Sequence, residues 1–454
     1  MPSTTEVPAA TPVRKPPLPR AIYALFLIRL VVSAGSFVHV LLVMILTGRL
    51  GWSGSAAGVF MSLVAGLSGV GSLLGGKLGD AFGRRRVLAL LQSLAAAIFL
   101  ASAVVGYGPW TPALAAVALA LLSGSWPSIN ALVADHAPPE RRREAFSLLY
   151  WGNNVGFSVG PALAGFLYVH APRALFAGNA LALLLAAATA TLFVPELAAG
   201  RAARRSGAAA SSLPSVKPDP STRADGSAGG APVLGRASTL AVFRADPVLS
   251  AYGLLAVLTA FVYDQHRFAL PLTLKETFGE ALGAQAFTWA MSVNGLTVVA
   301  ATALVTLASR RLPSLAAVAL GSVFYALGFG AYGWVSGVPA FLGVTAFWTL
   351  GEILGATNGN AFVAERAPES HRGRVNGALS LAYIMGGVLS PLVAGPLADA
   401  FGARAVWAPI ALTSALGALG LFALSAWNRA RGPGSLPARA ERPAPAPDSG
   451  SGQA

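Results

Sequence analysis

Ionisable side chains stand in three stretches so apolar that packing alone has no use for them. In "FWTLGEILGATNGNAF" (347–362), Glu352 lies between Gly351 and Gly355, with Trp348 one turn earlier and no basic residue in the same stretch to neutralise it. In "TAFVYDQHRFALPLTL" (259–274), Asp264 is followed at i+3 by Arg267, a spacing that brings two helical side chains together. Tyr263, Gln265 and His266 extend that run to five consecutive polar or amphipathic residues. In "FLIRLVVSAGSFVHV" (26–40), Arg29, Ser33, Ser36 and His39 recur at spacings that form one polar stripe on a helix. A charge at the centre of an apolar span costs about 2.5–3.5 kcal/mol on insertion scales, so each is a functional candidate. A lone carboxylate such as Glu352 suits a step that takes up and releases a proton. Asp264 is held ionised by Arg267 or forms a self-neutralised structural pair with it. Arg29 is shallow enough to snorkel, or else faces a cavity with Ser33, Ser36 and His39. Tyr263, Arg267 and Trp348 complete the candidate substrate cavity.

The elements that must position these groups are membrane spans. Hydrophobic residues make up 55% of the 454 and charged residues 11%, against about 25% charged in soluble domains. Twelve apolar runs near 22–47, 55–78, 87–106, 111–134, 145–169, 173–194, 248–274, 284–308, 313–335, 338–363, 374–398 and 404–427 are each long enough to cross a bilayer. Residues 1–19 and 429–454 read as disordered tails, and 197–245, rich in Ala, Ser, Gly, Pro and Arg, reads as a linker between six-span halves at 20–196 and 246–428. There is no cysteine and no apparent signal peptide.

The formal charge of +14 does not point to nucleic acid. Of the 32 Lys and Arg, 26 fall in the tails, the linker and alternate loops, 4 in the intervening loops, and 2 within spans. That asymmetry places both termini and the linker in the cytoplasm of a multi-pass cell-membrane protein. A shift of 230 residues lays "NALVADHAPPERRREAF" (130–146) on "NAFVAERAPESHRGRVN" (360–376), and Gly156, Pro161 and Gly165 on Gly386, Pro391 and Gly395. Two halves repeated in the same orientation imply a two-fold axis along the membrane normal and a site between them at mid-depth.

In "GGKLGDAFGRRRVLAL" (75–90), Gly76, Leu78, Gly79, Asp80, Gly83, Arg84, Arg85 and Leu88 resemble the loop 2–3 signature of the major facilitator superfamily, G-x-L-[AG]-D-x-x-G-R-[RK]-x-x-L. The resemblance covers about residues 20–428. It implies an all-α integral membrane protein of twelve helices in two pseudo-symmetric bundles. It also implies a conformational lock at Gly76, Asp80, Gly83, Arg84 and Arg85, closed in the outward-facing state with Asp80 near the start of the eleventh span. The corresponding loop of the second half keeps only "SRR" (309–311). "GFSVGPALAG" (156–165) resembles the fifth-span motif of drug/proton antiporters through Gly156, Gly160, Pro161 and Gly165, although Ala164 replaces a glycine and the fourth span lacks an arginine often found there.

The sequence carries no Walker loop, HExxH or GxSxG, so no enzyme, cofactor or metal site is expected. The leading expectation is proton-coupled export of hydrophobic or cationic small molecules by a functional monomer, with Glu352 and Asp264 as proton-coupling residues. The alternative is a symporter or facilitator for a sugar, peptide or organic anion, in which Arg29, His266 and Arg267 hold an anion. A non-transporting receptor on the same scaffold is a third class.

Overall fold

The computed structural model describes residues 17–196, 243–244, 246–367 and 372–430, leaving aside the side chains of 372–374. The expected tails and the 197–245 linker fall almost wholly outside these residues. Every regular element among the described residues is helical, and they form twelve rods. In chain order, α1 is Arg20–Arg49, α2 Gly54–Phe82, α3 Arg84–Val105, α4 Thr111–His136, α5 Arg142–His170 and α6 Pro172–Phe193. α7 (247–278) and α8 (280–309) share one helical stretch, Pro247–Ser309, divided at Gly279 by a φ of 77°. α9 is Ser314–Ala331, α10 Val338–Arg366, α11 Arg372–Phe401 and α12 Ala403–Ala430.

Local chemistry explains where the rods begin and end. Prolines occupy the first turns of α4, α6, α7 and α10, where a missing N–H costs nothing. Asp246 caps α7 by accepting from the Val248 and Leu249 amides at 3.0 and 3.1 Å, while its other oxygen takes Arg366 Nε at 2.5 Å. Gly83, at φ 101°, turns α2 into α3, a backbone conformation that side chains other than glycine rarely adopt. α5, which holds Asn153 and Asn154, packs against α1 and α8.

The two halves repeat each other. α1 packs on α5 and α6, α2 on α4, and α3 on α4 and α6; six positions along, α7 packs on α11 and α12, α8 on α10, and α9 on α10 and α12. The 230-residue offset survives in detail. α4 ends at His136 and α10 at Arg366, each followed by an extended alanine, and Pro161 and Pro391 sit inside α5 and α11. α1 breaks between Ala34 and Phe37, and α7 breaks at Asp264, at nearly the same point of the repeat. The break interrupts the regular ladder, so the polar run 263–267 sits where backbone groups need partners.

The halves touch chiefly away from the basic loops 77–86 and 141–143. On this far side Asp399 of α11 accepts from the Gly54 and Ser55 amides, both at 2.7 Å, and from Ser55 Oγ at 2.6 Å. Deeper in the same seam Ser62 Oγ donates to Val388 O at 2.7 Å. α5 meets α8 where Ser292 Oγ accepts from the Ala162 amide at 3.1 Å. Arg49 and Glu280 pair at 3.1 Å, and Tyr168 donates to Glu280 at 3.0 Å. Toward the basic face Tyr150, Trp151 and Tyr383 are exposed, and the central cleft opens on that side.

This arrangement gives a topology test in a chain with no cysteine of its own. A cysteine at Ser336, in the loop before α10, should react with an impermeant maleimide only from outside the cell, and one at Ser206 only from the cytoplasm. Ser336 is preferable to the neighbouring Gly337, whose φ of 98° would strain any side chain. Labelling of Ser336→Cys from the cytoplasmic face would overturn the orientation.

Candidate transport site

Glu352 sits near mid-length of α10 and turns into the second half, toward α7 and α8. Its Oε1 accepts from Tyr263 Oη of α7 at 2.8 Å, and its Oε2 accepts from Asn294 Nδ2 of α8 at 2.7 Å. Asn294 also donates to Thr349 Oγ1, one turn before Glu352, at 2.9 Å. The sequence reading of Glu352 as lacking a partner needs correction: it lacks a partner only on its own helix. The carboxylate has donors on both oxygens and, among the described residues, no cation within ion-pair distance. Such an anchor fixes the group's position without a contacting cation; Arg267 acts on its charge only at longer range.

Asp264 and Arg267 pair at 3.4 Å across the break in α7. Arg267 keeps half its side chain accessible, which at this depth means that it borders the central cleft. His266 is buried, with Nδ1 2.5 Å from Tyr263 O, so it serves the broken backbone of α7. Trp348 corrects a second expectation. It is fully buried, donates to Tyr332 Oη at 2.7 Å and packs edge-on to Tyr263; it supports the cavity wall from behind and does not line it.

Glu352 closes the inner end of a cavity of about 380 Å³ that runs past Tyr263, Tyr325, Tyr252 and Tyr383 to Asn376, near the basic face. The sequence reading missed Asn294, Tyr252 and Tyr325. A lone Asn in the apolar run "WAMSVNGLTVV" (289–299) was the available signal for Asn294.

In the first half the expected polar stripe is divided. Ser33 is buried and donates to Asn153 O of α5 at 2.7 Å; Ser36 donates back to Val32 O at 2.7 Å across the break in α1. Ser33 is thereby tied to α5, while Ser36 is half-buried and bonds only its own helix. His39, beyond the break, is exposed and within electrostatic reach of Arg267. Arg29 does not snorkel. Its guanidinium lies over the Trp126 ring of α4, 3.6 Å from the centroid.

The loop between α2 and α3 keeps its charges within its own half. Arg84 pairs with Asp135 at 2.5 Å and Asp80 at 3.2 Å, and Arg85 and Arg86 pair with Glu196 at 3.3 and 3.2 Å. Gly79, the residue before Asp80, packs close to Ser128 of α4, and Gly76 packs against Pro127. The α5 motif serves two neighbours. A Cβ at Gly156 or Gly160 would collide with α1 backbone at Leu30 and Ala34, and one at Gly165 would collide with Thr288 of α8. The motif thus joins α1 to the seam between the halves, with Pro161 between the two contacts.

The Major Facilitator Superfamily pattern matches residues 25–313 and 254–450, which together span most of the chain. The chain belongs to the Major Facilitator Superfamily. As a facilitator it is a secondary transporter and not an enzyme. It is 25% identical over 357 residues to a "Na(+), Li(+), K(+)/H(+) antiporter" of Planococcus maritimus, covering 74% of this chain and 80% of that protein. It is 26% identical over 399 residues to an uncharacterized MFS-type transporter of Bacillus subtilis (strain 168), covering 86% and 91%. Among solved structures this facilitator matches a POT family transporter bound to a thioalcohol-conjugated peptide with a TM-score of 0.68 at 14% identity, covering 90% of this chain and 98% of that one. A proton-dependent oligopeptide transporter matches at 0.66 and 20%, covering 90% and 99%. These structural likenesses concern the fold.

Proposed function

We propose that the protein exports hydrophobic or cationic small molecules in exchange for protons, by alternating access, with its basic face and both termini in the cytoplasm. The observation that carries this reading is Glu352, hydrogen-bonded on both oxygens, without a contacting cation, at the end of a tyrosine-lined cavity. Aromatic faces attract organic cations, and a carboxylate can hold either a cation or a proton but not both. Competition for one site is sufficient to couple the two fluxes. The relative named as a cation/proton antiporter is consistent with such competition. In this reading the structure is the inward-open state, and Asp80, Arg84 and Arg85 engage α11 only after the far side opens.

The test is uptake of ethidium into inside-out proteoliposomes under an imposed pH gradient, with sodium and potassium tried in parallel. Accumulation of ethidium that collapses with the gradient supports the proposal; gradient-independent flux of an organic anion supports the facilitator alternative. In the same assay Asp264→Asn strands Arg267 beside the cleft as an unpaired cation. It should raise the KM for ethidium by about tenfold, the size of one lost charge-assisted interaction. Coupling should survive. An unchanged KM would remove Asp264 from cargo binding.

A further inference from the structure

The cavity that ends at Glu352 is lined by residues of α7, α9, α10, α11 and α12, all in the second half. It is therefore a slot inside one half, and not the cleft between the two. α10 and α11 scarcely touch each other, and the slot lies between them with α7 behind. Gly355, Ala356 and Gly359 of α10 form one wall; a Cβ at Gly359 would come within 2.7 Å of the Tyr252 hydroxyl. The volume of about 380 Å³ has room for about a dozen waters, each of which needs two to four polar partners. Such partners are spaced along it. Asn376 and Ser380 stand at the mouth, the hydrogen-bonded pair Tyr252 and Tyr383 further in, then Thr259, and finally Tyr263 on Glu352 itself. Glu352 also has a second approach: Tyr150 of α5, exposed on the first half's wall of the cleft, lies within electrostatic reach of it. The carboxylate thus stands between cleft and slot.

We propose that the slot is a water-filled proton route from the cytoplasm to Glu352, separate from the cleft through which the cargo arrives. The proposal rests on the reading of Glu352 as the shared carboxylate, and it divides the two ligands between two approaches. As the cargo's cationic group settles from the cleft, the O–H bond of the protonated carboxyl breaks. The proton passes to a water in the slot, and the carboxylate is left to the cargo. With one approach only, cargo seated in the cleft would stand in the path of the departing proton. Because a single half contains the slot, movement of the halves against each other carries it along with little change of shape. What shuts it is cover at the mouth. Asn376 lies near the start of α11, the helix that the α2–α3 loop engages in the proposed cycle.

The experiment has two arms, both on the detergent-purified full chain, which has no cysteine of its own. In the first, Thr259→Cys inside the slot and Tyr150→Cys on the cleft wall are labelled with methanethiosulfonate ethylammonium. Both should react. Ethidium at about ten times its Kd should slow Tyr150→Cys about tenfold and leave Thr259→Cys within about twofold of its free rate. No reaction at Thr259→Cys would mean a dry slot and overturn the proposal. Equal protection of both would make the slot the cargo's own chamber and overturn it too. The second arm fills the slot. A Cβ at Gly355 meets nothing within 4 Å, so Gly355→Leu occupies the space beside Glu352 without a backbone collision. In the unmodified protein proton release should keep pace with ethidium binding; in Gly355→Leu, and in Ser380→Leu at the mouth, it should lag behind binding. Gly343→Leu, exposed on the same helix and equally open, should show no lag. Release that keeps pace in both slot variants would overturn the proposal and leave Glu352 as the coupling residue. Absence of release from the unmodified protein would remove Glu352 and the proposal together, so the two failures are distinct.

Discussion

Glu352→Gln should abolish uphill, gradient-driven transport, with a loss of at least about a hundredfold, while downhill exchange of cargo continues. The geometry explains the separation. Glutamine keeps an acceptor for the Tyr263 hydroxyl, and a flip of the Asn294 amide turns its oxygen to the new NH2, so the net cost to the fold should be about 1 kcal/mol. What disappears is the ability to alternate between a charged and a neutral form. A permanently neutral side chain imitates the protonated carrier, which can reorient in either direction but conveys no proton. The direct measurement is proton release when ethidium is added to detergent-purified protein at several pH values. The unmodified protein should release protons in proportion to cargo bound, and Glu352→Gln should release none. Equal release from both would exclude Glu352 from coupling, whatever the transport assay shows.

Asp399→Asn should shift the protein toward the state open on the far side. Asp399 holds the first turn of α2 through two amides and a hydroxyl, and a carboxylate at a helix N-terminus gains further from the partial positive charge there. These bonds join the halves, so their loss falls wholly on the inward-open state. Because the group is exposed, the shift should be about 1–2 kcal/mol, or roughly five- to thirtyfold in the ratio of states. A cysteine at Ser62, buried in the same seam, reports it: maleimide labelling from the far side should rise in Asp399→Asn. Asp80→Asn, which loosens the opposite closure, should not raise that labelling and should reduce it. An increase of equal size in both variants would mean general loosening and would sink the assignment of two opposed locks.

The basic and acidic parts of these locks were unequally legible. Asp80 and its glycines were visible because a polar knot between apolar spans is conspicuous in one dimension. Asp399 was not, because an acid near the end of a span looks like any loop charge until Gly54 and Ser55, some 345 residues earlier, are seen to donate to it. The same limit applies to the site. A polar residue inside an apolar run can be found by reading, and so Glu352, Asp264, Arg267 and Arg29 were found. Its orientation cannot be read in this way, because helix breaks rotate one part of a span against the other; Ser33 and Ser36 shared a stripe with Arg29 on paper and serve the backbone in the structure.

The sequence by itself determined the twelve-span facilitator architecture and its internal repeat. Apolar length, the distribution of Lys and Arg and a fixed 230-residue offset are local or periodic properties, legible without knowing any contact. Only the tertiary structure decided which charges are compensated. Tyr263, Asn294 and Glu352 come from α7, α8 and α10, Arg29 and Trp126 from α1 and α4, and no periodicity along one chain specifies how separate helices face one another. Whether an intramembrane charge is paired, hydrogen-bonded or left waiting depends on groups brought within about 3 Å by packing, and packing is a property of the assembled bundle.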